Sequence, residues 1–107
     1  MAKFLFLFKG LGYSSQEVTE SYSKKWTDYI GNLAKNGHLE SGSPLESGGK
    51  VVVGKEVSDF KGEKIDIYGY MLINAATLEE AVELSKQAPH MALGGTTIVR
   101  PCREVPA

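Results

Sequence analysis

The chain has 107 residues, of which 42% are hydrophobic and 23% charged. That is the size and composition of a single globular domain spanning 1–107, and it excludes both a disordered chain and a two-domain one. Twelve Lys and Arg against thirteen Asp and Glu leave a net charge of −1, which excludes the basic footprint of a nucleic-acid binder or of a protein held on an anionic membrane.

Cys102 is the single cysteine. It rules out an internal disulfide and a cysteine-rich metal site, and it fits a reducing compartment. At the N-terminus, Lys3 precedes the apolar run Phe4 to Phe8. The run is too short for a signal-peptide core, and no stretch approaches the roughly 20 apolar residues that span a bilayer. A soluble, cytoplasmic protein is expected.

Phe4-Leu5-Phe6-Leu7-Phe8, between lysines and followed by Gly10 and Gly12, predicts a strand buried on both faces. Ser14 with Glu17 forms a capping box that opens a helix. Val18, Tyr22, Trp26, Tyr29, Ile30, Leu33 and Ala34 then recur at three- and four-residue steps as one apolar stripe. Asn36-Gly37 stops the helix, with glycine suited to the left-handed C-terminal position. His38 to Ser41 predicts a short strand, and Ser43 to Gly49 a loop. Lys50 to Gly54 is a β-branched strand, extended toward Val57 past a bulge at Gly54. Lys61 to Lys64 is a polar turn and Tyr68 to Ala75 a further strand. Thr77 and Glu80 make a second capping box, opening a helix that Pro89 stops. Gly94-Gly95 is a turn, and Thr96 to Arg100 is the last strand.

Two strand–helix units separated by antiparallel strands give a ferredoxin-like β-α-β-β-α-β order, an α+β fold with an antiparallel sheet. In that fold both helices cover one sheet face. Phe4, Phe6 and Phe8 alternate with Leu5 and Leu7, and Tyr68, Tyr70 and Leu72 alternate with Met71 and Ile73. A sheet wet on one side would alternate apolar with polar residues. The second face therefore needs a cover, and a two-fold pairing with a second copy supplies it.

The order of motifs resembles the YCII-related, or DGPF-type, family over nearly the whole chain. The likeness rests on the first strand and on Asn36-Gly37-His38-Leu39, Gly42 and Pro44-Leu45. It continues through Val57-Ser58-Asp59-Phe60, Gly69-Tyr70-Met71-Leu72-Ile73, Leu78-Glu79-Glu80-Ala81 and Val99-Arg100-Pro101. The resemblance implies a dimeric α+β barrel and, in YCII-type members, a His–Asp pair beside a cleft. Counted back from Asn36-Gly37, the helix position that carries the family's histidine is Trp26 in this chain. The acid of the DGPF box is displaced to Asp59.

Three residues are candidate catalytic groups: Asp59, His38 and Arg100. Histidine titrates near neutrality. Arg100 closes a strand and can hold a carboxylate or phosphate bidentately, with Asp59 as base or partner. A surface histidine and a structural ion pair are the bland alternatives. Trp26, Tyr22 and His90 are candidate ligand-binding groups, since the polar tips of the two helix aromatics can line a pocket; plain core packing is the alternative. Two histidines without nearby cysteine or a dense carboxylate cluster argue against a metal site. No cofactor is expected, because Gly10-Leu11-Gly12 lacks the rest of a dinucleotide fingerprint. An RNA-recognition domain shares the topology, but Asp66-Ile67 stand where its basic residue and glycine belong. The expected function is cofactor-free acid–base chemistry on a small organic molecule in a cleft between helix and sheet. The alternative is a non-catalytic ligand-binding or interaction module. The expected partner is a second copy, with neither nucleic acid nor membrane involved.

Overall fold

The computed structural model describes residues 2–10, 20–46, 48–61 and 66–105. Its elements are β1 (Ala2–Gly10), α1 (Glu20–Lys35), β2 (Leu39–Pro44), β3 (Lys50–Val53), β4 (Glu56–Asp59), β5 (Asp66–Ala75), α2 (Leu78–Ser85), a short 3₁₀ helix (Pro89–Leu93) and β6 (Thr96–Pro101). The main sheet runs β2-β5-β1-β6 with every neighbouring pair antiparallel. This is the ferredoxin-like arrangement, with the β3–β4 hairpin as a separate two-stranded ribbon inserted between β2 and β5.

The period-two pattern of β1 explains where the core sits. Phe4, Phe6 and Phe8 are buried, and they lie opposite Ile73, Met71 and Gly69 of β5. Tyr29 and Leu33 of α1 and Ala81 of α2 join the same cluster, so both helices cover this one face. Leu5 and Leu7 point the other way, beside Leu72 and Tyr70 on one side and Arg100 and Ile98 on the other. These leucines are half-buried with no layer above them among the described residues. The chain is a slab of 43 × 41 × 18 Å, one sheet and one helix layer thick.

Local chemistry sets the boundaries. Gly37 ends α1 at φ +77°, the left-handed position expected of it. The Thr77 hydroxyl accepts from the Glu80 amide (3.1 Å) and the Glu80 carboxylate accepts from the Ala76 amide (2.9 Å), completing the second capping box. The first box, Ser14 with Glu17, lies outside the described residues, as do Val18 and most of the 61–64 turn. α2 ends at Ser85, and Pro89 opens the 3₁₀ helix instead of stopping α2 directly.

Three expectations change. Gly54 is no bulge: at φ +61° it turns the chain, and β4 returns antiparallel to β3 with Val52 opposite Val57. β2 runs on to Pro44, a position open to proline because β2 is an edge strand. Tyr68 does not share a face with Tyr70. The register slips between Phe8, opposite Gly69, and Lys9, opposite Ile67. Tyr68 is the extra residue of that bulge, and it packs against the core on the helix side.

Candidate functional site

A cleft of about 190 Å³ opens between α1 and the β2–β5 side of the sheet. Trp26 and Ile30 reach it from α1, Leu39 and Pro44 from β2, Tyr68 and Met71 from β5, and Phe8 from the end of β1. Its described lining carries no charged side chain. Such a wall favours a neutral, largely apolar guest, because an unpaired charge loses its hydration there.

Four aromatic rings stack behind and along this wall. Trp26 lies flat against the His90 imidazole, with centroids 5.6 Å apart and planes 21° from parallel. Phe8 and Tyr68 meet the same imidazole edge-on, at 5.1 and 5.8 Å. His90 is only 2% exposed. It is therefore wedged directly behind three residues that line the cleft.

The hydrogen bonds of His90 settle its tautomer. A carbonyl oxygen only accepts, so Nε2–H donates to the Thr96 carbonyl (3.0 Å), with the Thr97 hydroxyl 3.1 Å away. Nδ1 is then a bare lone pair, buried and without a partner. The Trp26 indole nitrogen, also buried, has none either. Leaving such a group unsatisfied costs about 1–3 kcal/mol, and two of them meet in one aromatic stack. Burial holds the His90 pKa below its ordinary value, with the Thr96 hydrogen bond opposing. The loop is built to admit this ring: a Cβ on Gly95 would fall 2.4 Å from the His90 Cδ2.

The nearby Tyr29 hydroxyl donates to the Leu84 carbonyl (2.9 Å), tying α1 to α2. Burial pushes its phenol pKa well above the ordinary value, so it stays a protonated donor.

The structure does not bring Asp59, His38 and Arg100 together. Asp59 sits at the root of the β3–β4 hairpin, exposed, and accepts from the Lys50 ammonium. His38 stands before β2 and donates through Nδ1–H to the Asn74 carbonyl (2.8 Å). Arg100 lies on the exposed side of β6, opposite Leu5. No hydrogen bond or ion pair among the described residues joins any two of them, and none lines the cleft. Of the expected ligand-binding residues, Trp26 lines the cleft, His90 lies one layer behind it, and Tyr22 is half-buried on α1 outside the lining. Beside His38, Glu40 accepts from Asn74 Nδ2 (2.9 Å) and Lys3 Nζ (3.4 Å). Those two partners, Asn74 first, lower its carboxylate pKa.

Sequence reasoning missed Tyr68, Met71, Leu39 and Pro44 as cleft residues. Tyr68 was hidden by the bulge. The Gly94-Gly95 pair was a signal for the close approach of another group, though it read as an ordinary turn. Among the described residues, no group of three or more His, Cys, Asp or Glu could hold a metal ion, and no helix is long and apolar enough to cross a membrane.

No protein-family model and no curated protein matches the chain. Among solved structures it is similar to 5-chloro-2-hydroxyhydroquinone dehydrochlorinase (TftG) from Burkholderia phenoliruptrix AC1100, in complex with 2,5-dihydroxybenzoquinone. The identity is 16%, the TM-score 0.62, and the match covers 96% of this chain and 95% of that one. At that identity the likeness establishes a shared fold, carried over the whole length of both chains.

Proposed function

We propose that this protein binds a small, neutral, ring-containing organic molecule in the cleft under α1 and acts on it by proton transfer without a cofactor. One observation carries the reading: a charge-free cleft of about 190 Å³ walled by the rings of Phe8, Trp26 and Tyr68. An apolar cavity of about 150 Å³ takes benzene, so one substituted ring is the scale of the guest. The dehydrochlorinase of the same fold, crystallised with a small cyclic dione, supports a ring-shaped guest and a YCII-type assignment.

For proton transfer, His90 is better situated than Asp59, His38 or Arg100. Its ring packs against Phe8, Trp26 and Tyr68, which line the cleft, and burial favours its neutral form; Nδ1 is buried, so proton transfer requires one of those rings to move aside. A ligand-binding module without catalysis is the second reading, favoured because the wall itself carries no titratable group other than tyrosine.

The active form is proposed to be a homodimer paired through the open sheet face, in the cytoplasm. The chain exposes 7753 Å², whereas a monomer of this size ordinarily exposes about 5,800 Å². The excess of roughly 1,900 Å² exceeds the ~800 Å² per partner of a standard interface.

Thermal shift against a panel of neutral phenols, quinones and lactams tests the binding reading. At least one should raise the melting temperature of the wild type, and Trp26→Ala, which removes an aromatic wall of the cleft, should weaken that shift. A panel without a single stabilising compound would sink the reading. Loss of turnover with retained binding in His90→Gln separates the enzyme from the binding module.

A further inference from the structure

Residues 89–95 form a flap whose deepest anchor is one side chain. His90 is the buried residue of the Pro89–Leu93 helix, while Ala92, Leu93 and Gly94 face water. The backbone leaves helical geometry at both ends: Ala88 is extended and Gly94 is left-handed at φ +80°. A helix this short does not persist alone. Its amide bonds, Met91 to the Ala88 carbonyl (3.1 Å), Gly94 to Met91 (3.3 Å) and Gly95 to His90 (2.9 Å), therefore depend on the seating of the imidazole. That seat suits a neutral ring. Nε2–H already donates to the Thr96 carbonyl, and Nδ1 is buried with no acceptor. A second proton would make Nδ1 a charged donor with nothing to receive it, which costs more than a neutral orphan. Around the ring stand Trp26 from α1, Phe8 from β1, Tyr68 from β5 and Thr97 from β6, whose hydroxyl also meets Met91 of the flap. Tyr68 is the one titratable group among them, and a phenol is uncharged in acid. The Trp26 face attracts a cation, but burial outweighs it and disfavours the imidazolium.

We propose that His90 is a proton-operated latch: protonation expels its ring from the aromatic seat, releases the 89–95 flap and frees Trp26 from the cleft wall. The closed flap holds the neutral ring. The open flap gives the ring to water, where an imidazole takes its proton near the ordinary value of about 6.5. The open form therefore gains on the closed one as the pH falls below that value. The gain reaches about tenfold per pH unit, until the closed form binds the proton as well. No core strand has to move. Phe8 and Tyr68 keep their places in β1 and β5, whereas Trp26 loses the ring stacked on it at 5.6 Å. The latch thus confines a complete cleft wall to neutral and alkaline pH. Its consequence for a bound guest rests on the cleft reading proposed above; the release of the flap does not.

Trp26 is the single tryptophan and His38 the only other histidine, so the chain carries its own reporter and its own control. The test runs from about pH 7.5 to about pH 5, either side of the ordinary histidine value. It follows acrylamide quenching of Trp26 fluorescence and the exchange protection of the Met91, Gly94 and Gly95 amides, corrected for the intrinsic pH dependence of exchange. It compares wild type, His38→Gln and His90→Gln, which keeps an N–H for the Thr96 carbonyl but takes no proton. Wild type and His38→Gln should lose about tenfold or more of their flap protection in acid and show a larger quenching constant, while the Phe6 amide in β1 stays protected. His90→Gln should show neither change. If that variant does not fold, the His90 ring titration is read by NMR in His38→Gln, where it must coincide with flap release; two separate transitions overturn the latch. An unresponsive wild type, a response that survives in His90→Gln, or loss of Phe6 protection together with the flap overturns it equally. No cleft ligand enters this experiment, so a compound panel without a single stabiliser would sink the cleft reading and leave the latch standing.

Discussion

The body and the β3–β4 arm are built from the same kinds of residues and end in opposite environments. In the body, Phe6 and Ile73 are both 0% exposed, because β1 is flanked on both sides and covered by two helices. In the arm, three consecutive valines form a regular strand yet remain in water. β-branched side chains favour the extended backbone wherever they stand, but burial needs a surface brought from elsewhere in the chain. The body has that surface, supplied by residues 60 and more positions away, as when Phe4 meets Ile73. The arm has only its own return strand. Strand formation and core formation are therefore separate outcomes, and the arm shows the first without the second.

The sharpest way to break the comparison is to truncate one apolar side chain in each region. Phe6→Ala should cost about 3–5 kcal/mol in denaturant unfolding, through lost burial and the cavity left behind. Val53→Ala should change stability by no more than about 0.5 kcal/mol in the monomer. Equal effects would mean that the arm packs in the isolated chain.

Next in size is the His90 seat. Gly95→Ala should destabilise by about 1–3 kcal/mol, the usual cost of overfilling a packed site, because the new methyl would meet the imidazole at 2.4 Å. It should also weaken ligand-induced stabilisation by shifting Trp26. Gly54→Ala on the arm, where no neighbour lies within 4 Å of the added atom, should show only the cost of φ +61°.

A pH series sharpens the contrast further. The folded state holds the His90 pKa below its unfolded value, so the unfolded chain binds the extra proton. Stability should be full above the unfolded value of about 6.5 and should fall as the pH drops below it. His90→Asn should flatten that limb of the profile. The arm contributes no comparable histidine.

The smallest effect belongs to the Lys50–Asp59 pair. Both side chains are mostly exposed, so Lys50→Ala should cost about 0.5 kcal/mol or less and should fade in salt. A larger loss would show that the pair is buried by another molecule.

Much of the fold was legible. The alternation of Phe4, Phe6 and Phe8, the stripe through Trp26, Tyr29 and Leu33, and the Thr77–Glu80 box each act over a few residues and need no distant partner. The candidate site was far less so. Asp59, His38 and Arg100 attract attention as titratable groups near strand ends, yet they stand apart in the fold. His90 was legible as a residue but not as a buried one, because its environment comes from Phe8, Trp26, Tyr68 and Gly95 on four separate segments.

By itself, then, the sequence determined the ferredoxin-like order and the two apolar faces of the sheet, because periodicity and capping are local and repeat along the chain. Only the tertiary structure decided that Gly54 folds the valine run back on itself, that the slip at Phe8 turns Tyr68 toward the helices, and that His90 stacks on Trp26. Each of those depends on register and on contacts between distant segments, and a one-residue slip reverses which face a side chain takes.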